Sequence, residues 1–292
     1  MKILNLGSLN LDYVYQVDHM VQPGETLASS DMQIFCGGKG LNQSIALAKA
    51  GADVYHGGLI GEEGGILRAA LQTAEVDCQF VRTIEGSTGH AIIQVDGNGQ
   101  NCILLYGGTN RMLTSQFIDE VLAAFDAGDI LLLQNEVNKL DEIVDKAHKK
   151  GMKIVLNPSP FNDAVKAVDL EKISLFLMNE VEGEQITGEA DPAQILQAMK
   201  RDYPQAEVVL TMGAEGAWYQ NGDILLKQNA FKVEAVDTTA AGDTFTGYFL
   251  ATQAEGMDVA DSLEMASKAS SIAVTRPGAA PSIPMREELN QE

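Results

Sequence analysis

Cysteine, histidine and basic residues are all scarce in this chain of 292 residues, and each scarcity removes a class of chemistry. The three cysteines, Cys36, Cys78 and Cys102, are scattered, odd in number and without metal-knuckle spacing. That pattern fits reduced thiols in a cytoplasmic protein better than a disulfide framework. The four histidines, His19, His56, His90 and His148, stand apart, so neither a zinc site nor a histidine-based triad is indicated. Lysine and arginine total 20 against 41 aspartates and glutamates, a formal net charge of −21. Such a balance argues against nucleic acid, whose phosphates need clustered cations. The acidity serves solubility, yet it leaves any phosphate-bearing ligand to backbone dipoles, a few basic residues and metal cations. No apolar run approaches the length of a membrane span, so no membrane association is expected. Residues 1–7 carry one lysine and then a strand pattern, so a signal peptide is not expected either. Repeats, low-complexity tracts and linkers are also lacking.

What is present is an ordinary globular composition, 45% apolar and 21% charged, long enough for one large domain or two small ones. Residues 3–6 read as a short apolar strand, and 11–17 carry bulky side chains at alternate positions, as a half-exposed strand does. Further on, strands are expected at 53–55, 130–133, 153–156, 175–178 and 208–211. Helices are expected at 66–74, 116–127, 140–150 and 192–203. Apolar strands alternating with amphipathic helices indicate an α/β fold, a mainly parallel central sheet with helices on both faces. One segment breaks the rhythm. Residues 90–95 and 101–106, joined by Asp96-Gly97-Asn98-Gly99, carry a strong hairpin signal. With 11–17 and part of 26–35 they suit a small separate β-sheet, serving as a lid, a dimer contact or both.

The chemistry concentrates in four stretches. Val236-Asp237-Thr238-Thr239-Ala240-Ala241-Gly242-Asp243 runs from a strand end through small residues into a helix. Free amides at such a helix start bind anions, and the small side chains let a group approach the backbone. A carboxylate at Asp243 suits a helix N-terminus electrostatically, but beside a bound anion it would repel the ligand. Proton abstraction from a hydroxyl that attacks a phosphoryl group is the chemical reading of it. Gly37-Gly38-Lys39-Gly40-x-Asn42 is a glycine-rich loop entering a helix, without the spacing of the nucleotide-binding P-loop. A tight strand-to-helix connection is its plain structural alternative. With Asn10 and Asp12 it offers amides and carboxylates for a polyhydroxylated ligand. Asn179-Glu180-Val181-Glu182 follows a strand, where open α/β sheets bind ligands, although helix capping explains Asn179 equally well. Thr211-Met212-Gly213-Ala214-Glu215-Gly216 follows another strand, either a plain turn or a close approach to phosphates.

Taken in order, these motifs resemble the ribokinase-like, PfkB-type carbohydrate kinase family from end to end. The resemblance also rests on Gly7-Ser8-x-Asn10-x-Asp12, Pro23-Gly24-Glu25-Thr26, Ser87-Thr88-Gly89 and Asn157-Pro158-x-Pro160. Ala273-Val274-Thr275-Arg276-x-Gly278-Ala279-x-Pro281-Ser282 closes the set. It implies one kinase domain over 1–292, with a β lid from about 10–35 and 86–107 inserted in the α/β core and often shared across a homodimer. It further implies transfer of the ATP γ-phosphoryl group to a sugar hydroxyl, with D-ribose the first expected acceptor and ribose 5-phosphate the product. By the same resemblance Asp243 is the base, and amides around Ala241 and Gly242 stabilise the transferring phosphate. Asn10, Asp12, Gly38, Lys39, Asn42 and Glu136 match sugar-contacting positions. Asn179, Thr211, Gly213 and Gly216 match nucleotide-side positions, with Ser267 near the adenine. Glu182 matches the acidic position that acts on Mg2+ through water. Asp237, Thr239, Ala273, Arg276, Gly278 and Ser282 match the loops around an activating K+.

The chain departs from the family pattern at Leu41, Ser44, the loop Gly107-Gly108-Thr109-Asn110 and the extra charge of Arg111. These departures bear on the identity of the sugar, because specificity depends on a few hydrogen bonds. Two alternatives accompany the ribose reading. One is a kinase of the same family acting on another sugar, a deoxysugar or a nucleoside. The other is a sugar-binding regulator that keeps the fold without catalysis, which fold alone does not exclude.

Overall fold

The expected alternation is realised along most of the chain, of which the computed structural model describes residues 1–290. The first elements are β1 (Ile3–Leu6), β2 (Asn10–Gln16), β3 (Asp31–Gly37), α1 (Lys39–Lys49), β4 (Val54–Ile60), α2 (Gly65–Thr73) and β5 (Asp77–Thr83). Then come β6 (Gly89–Val95), β7 (Asn101–Tyr106), α3 (Ser115–Ala123), β8 (Ile130–Gln134), α4 (Leu140–Lys150), β9 (Lys153–Asn157) and α5 (Asp163–Lys166). The last are β10 (Leu175–Asn179), α6 (Glu180–Thr187), α7 (Pro192–Asp202), β11 (Glu207–Thr211), β12 (Ala217–Asn221), β13 (Ile224–Gln228), α8 (Ala241–Glu255) and α9 (Val259–Ala273).

Nine strands form the main sheet in the order β13-β12-β11-β10-β9-β8-β1-β4-β5. Pairing is parallel from β5 to β11, and β12 and β13 add an antiparallel edge. Alternate side chains of the central strands feed two separate cores, which is why those strands read as continuous apolar runs. Leu4, Leu6, Leu131 and Leu133 pack with Phe117 of α3, Ile143 of α4 and Ile195 of α7. Ile3, Ile130 and Leu132 pack with Leu41 of α1, Phe249 of α8 and Leu263 of α9 on the other face. From β1 the chain builds toward β5 on one side, and from β8 toward β11 on the other. The crevice of an open α/β sheet forms where the order reverses, at the carboxyl ends of β1 and β8. Helix α8 is drawn against α1 there. A Cβ on Gly247 would lie 2.3 Å from Ala46 Cβ, so glycine is what permits the close crossing.

The other four strands form the expected small sheet, in the order β3-β2-β6-β7. Strand β2 runs parallel to β6 and antiparallel to β3, and β6 and β7 form the hairpin. Residues Ile34, Tyr13, Ile92 and Leu104 are register partners across the four strands and share one face, while Asp12 lies on the opposite one. Three members of that row, Ile34, Ile92 and Leu104, are exposed.

Several boundaries differ from expectation. Strand β4 continues to Ile60 because Gly57 and Gly58, which locally read as a turn, lie in the sheet; a Cβ on Gly57 would come 2.8 Å from Leu6 Cδ1. Helix α3 stops at Ala123 rather than 127. Strands β5, β12 and β13 and helices α6 and α9 carry no strong local period and emerge only in the folded chain.

Candidate active site

Helix α8 begins with a residue in an uncommon conformation. Ala240 has φ 60° and ψ 10°, in the left-handed region, which costs a residue with a Cβ about 1 kcal/mol or more. That turn aims the first amides of α8 out of the loop. Ala241 N donates to Thr238 O at 3.2 Å, and Thr244 N donates to Ala240 O at 2.8 Å. The amides of Gly242 and Asp243 have no acceptor among the described residues. The free amides of this turn are therefore those of Gly242 and Asp243, one residue beyond the pair Ala241 and Gly242 expected from the sequence. The space in front of them is open, since no described atom lies within 4 Å of where a Gly242 Cβ would stand. Ser270 Oγ donates to Ala241 O at 3.0 Å and ties this turn to α9. A cavity of about 210 Å³ opens before these amides, bordered by Lys39, Asn157, Asn179, Glu182 and Thr211.

Asp243 sits at the floor of the cavity and is 7% exposed. Its Oδ2 accepts Asn42 Nδ2 at 3.0 Å, and its Oδ1 accepts Gln43 Nε2 at 2.9 Å. Both donors come from the N-terminal half of α1, so the glycine-rich loop and the Asp243 run meet. Lys39 opens the same helix and is the one basic residue among those bordering the cavity in the described residues. Burial pulls its pKa down, but the charges of Asp243, Glu136 and Glu182 outweigh that and hold it above the ordinary lysine value. A protonated Lys39 thus supplies the positive charge that an acidic chain otherwise lacks here.

On the other side of Lys39 lie Asn10, Asp12, Gly38 and Glu136. Glu136 follows β8 and accepts Lys39 N at 3.0 Å and the hydroxyl of Ser8. Gly38 has φ 92°, a conformation that favours glycine, at the entry to α1. Asp12 packs its carboxylate over Gly37, where a Cβ would come 2.0 Å from Oδ2. Burial, and secondarily the charge of Glu136, raises the Asp12 pKa to about 7. Asn10 is held from behind: its Oδ1 accepts Asn110 Nδ2 at 2.7 Å, and Asn110 also bonds Leu9 N and Leu9 O. This leaves the Asn10 amide hydrogens for a ligand. Gly89 is required by the same contact, since its Cβ would stand 2.1 Å from Asn110 Nδ2.

The remaining expected residues divide into two groups. Asn179 and Glu182 form a reciprocal capping box at the start of α6, with bonds of 2.9 and 3.0 Å, and both also border the cavity. Beside them Asn157 Oδ1 is buried without a partner among the described residues. A carboxylate and a free amide oxygen suit the water shell of a divalent cation, so the side chains present fit Mg2+. Thr211 borders the cavity, and Gly213 has φ 52° with open space where a Cβ would be. Gly216 has a structural cause of its own: a Cβ there would lie 2.0 Å from Gln228 O. Ser267 is buried on α9 and does not border the cavity.

The two segments expected to flank K+ are joined by hydrogen bonds. Asp237 Oδ1 accepts Thr239 N at 2.9 Å and Thr239 Oγ1 at 2.6 Å, and its Oδ2 accepts Gly278 N at 2.9 Å. Burial opposes its ionisation, but these hydrogen bonds outweigh it and hold its pKa below the ordinary value. Ser282 Oγ donates to Ala279 O at 2.7 Å, Ala273 O accepts Arg276 N at 3.0 Å, and the Arg276 guanidinium pairs with Glu288. Among the described residues no three His, Cys, Asp or Glu side chains gather as a metal cluster.

Free amides at a helix start, a buried carboxylate and a polar crevice around one lysine meet where the sheet order reverses, and the family model for "pfkB family carbohydrate kinase" matches residues 1–286. The chain belongs to that family. It is similar to the ribokinase of Staphylococcus aureus (strain COL), 36% identical with 99% of each chain covered. The crystal structure of ribokinase from Thermotoga maritima superposes with a TM-score of 0.88 at 32% identity, covering 98% of this chain and 97% of that one. The structure of Arabidopsis thaliana ribokinase complexed with ribose and ATP superposes with a TM-score of 0.87 at 28% identity, covering 98% and 96%. The nine-stranded sheet with its separate four-stranded sheet is the fold of these carbohydrate kinases.

Residue-type reasoning overlooked several contributors. Asn110 lies in a loop noted only for departing from the family, and its role is legible only once Leu9 and Asn10 are beside it. Ser44, another departure, bonds His56 Nδ1 at 2.8 Å inside the fold. Asn157 had a signal in its Asn-Pro-x-Pro motif and Gln43 in the motif Gly37-Gly38-Lys39-Gly40-x-Asn42-Gln43, whereas Gln134 had none beyond polarity in apolar surroundings.

Proposed function

We propose that this kinase transfers the γ-phosphoryl group of ATP to the 5-hydroxyl of D-ribose, giving D-ribose 5-phosphate and ADP. The observation that carries this reading is the place of Asp243, between the amides of α8 and the polar set Asn10, Asp12, Lys39, Asn42 and Glu136. The sugar lies along that set, with its hydroxyls bonded to the carboxylates and amides. Asp243 accepts the proton of the attacking hydroxyl as the new P–O bond forms and the bond to the ADP oxygen breaks. The amides of Gly242 and Asp243 and the ammonium of Lys39 face the charge on the transferring group. ATP extends past Asn179 and Thr211, with Gly213 leaving room for its phosphates. Glu182, through water, and Asn157 beside it would hold Mg2+, which would supply positive charge against the phosphates. K+ between the Asp237–Thr239 and 273–282 turns would stiffen the backbone leading into Ala240. Ser267 lies outside the cavity and enters this reading only as support for the adenine end.

The small sheet acts as a lid inserted in one kinase domain. Its exposed row Ile34, Ile92 and Leu104 supports a homodimer through the face opposite Asp12. A cytoplasmic location accords with three free cysteines. No described helix is long and apolar enough to cross a membrane.

A panel of acceptors assayed with ATP and Mg2+ tests the assignment, and D-ribose should rank first in kcat/KM above deoxyribose, other sugars and nucleosides. A different first acceptor overturns the ribose reading and leaves the kinase. Asp243→Asn should lower kcat by about 10²–10⁴ while ATP still binds. Near-normal turnover in that variant removes Asp243 as base.

A further inference from the structure

Behind Asp243 runs a buried chain of amides whose two ends can only accept hydrogen bonds. At one end the carboxylate takes Gln43 Nε2–H at 2.9 Å. At the other the Gly40 carbonyl takes Asn5 Nδ2–H at 2.8 Å. Neither end can donate, so each adjoining amide must turn its NH2 outward and its oxygen inward. The two inward oxygens then need donors, and both find the same one. Gln134 Nε2 donates to Gln43 Oε1 at 2.6 Å and to Asn5 Oδ1 at 3.0 Å. An amide nitrogen has two hydrogens, so Gln134 meets both demands and has none left. Asn5, Gln43 and Gln134 are fully buried, which removes water as a substitute partner.

A branch leads to a histidine. The second Asn5 hydrogen goes to Ser44 Oγ at 2.9 Å, and Ser44 Oγ lies 2.8 Å from His56 Nδ1, where its hydroxyl can donate to a bare Nδ1 or its second lone pair can accept from a protonated one. Burial lowers the His56 pKa to about 3, and the ring stays neutral through the working range.

We propose that Gln134 is a positioning residue for phosphoryl transfer. By holding Gln43 Oε1, it locks the Gln43 N–H onto Asp243 Oδ1 and leaves Oδ2, now bonded to Asn42, as the edge that turns to the sugar hydroxyl. Without it the Gln43 amide is free to rotate its oxygen toward the carboxylate. That would withdraw a donor from the ionised base and add repulsion in its place. This inference rests on Asp243 as the base.

Gln134→Met keeps the side-chain length and removes both donors. Expected are a fall in kcat of at least tenfold and a sugar KM within about threefold of wild type. A merely structural role predicts kcat and KM for both substrates changing together, and that result overturns the proposal, as does unchanged kcat. Asp243→Asn is measured in parallel. If it turns over normally, the base assignment itself fails; if it is inactive while Gln134→Met is unaffected, only the present inference fails. A second variant tests the link itself. Gln43→Met removes the donor to Asp243 and should reproduce the Gln134→Met fall in kcat, with the double variant no worse than either single one. Losses that add in the double variant mean that Gln134 does not act through Gln43, and overturn the proposal.

Discussion

Asp12 should make capture of the sugar depend on pH close to neutrality. Its carboxyl is raised to about 7, first by burial against Gly37 and then by the charge of Glu136. The neutral form therefore prevails below that value and the ionised, hydrogen-bond-accepting form above it. At pH 6 about one carboxylate in ten is ionised, so kcat/KM for the sugar should fall roughly tenfold per unit on the acid side. The assay is an initial-rate series from pH 5.5 to 9 at saturating ATP. Three chains compared together isolate the cause. Asp12→Asn should lose the limb and have a lower plateau. Glu136→Gln should move the limb to lower pH but leave it above 3.8, because burial is the larger cause. Stability supplies a second reading with its own sign. A folded pKa above the unfolded one means a contribution that is present below pH 3.8 and lost as pH rises through about 7. The shift bounds the loss at about 4 kcal/mol, and partial exposure reduces the expectation to ~1–2 kcal/mol. Asp12→Asn should accordingly melt above wild type at pH 8, with the gap closing toward pH 4. A wild-type kcat/KM flat between pH 6 and 8, or a limb that persists in Asp12→Asn, would refute this reasoning.

Two more predictions address the phosphate end. Gly242→Ala should fold at least as well as wild type, since helix propensity improves by up to about 1 kcal/mol and nothing lies within 4 Å of the new methyl. The methyl would fill the space before the free amides, so kcat/KM for ATP should drop at least tenfold; full activity would show that the phosphates lie elsewhere. Turnover should be faster in K+ than in Na+ at equal ionic strength, and Asp237→Ala should abolish the difference by releasing Thr239 and Gly278. Equal rates in the two salts count against a cation between those turns.

Local pattern carried much of the architecture. The apolar strands of the main sheet are buried on both faces, and their uninterrupted runs announced this without any contact being known. The 90–106 hairpin was legible because its turn residues and alternation act over a few residues. By contrast Gly57 and Gly58 looked like punctuation, and only the passage of Leu6 beneath them shows why glycine continues a strand there. Strands β12 and β13 were missed because an antiparallel edge is half exposed and holds no continuous apolar run. In the site, capping and ligand roles gave Asn179 and Glu182 the same signature, and the structure has them cap α6 while bordering the cavity. Gly213 and Gly216 looked alike in sequence, yet open space surrounds the first and the Gln228 carbonyl explains the second.

The sequence by itself determined the α/β class, the family and the presence of an acidic residue at a helix start built of small residues. Those follow from periodicity, small residues and motifs, all of short range. Tertiary structure decided what the side chains are worth chemically. Asn42 and Asp243 are 201 residues apart and bond at 3.0 Å, Asp12 titrates near neutrality because of what buries it, and Gln134 acquires a task only between Asn5 and Gln43. Hydrogen bonding and desolvation act over a few ångströms, and only folding makes such distances from positions so far apart along the chain.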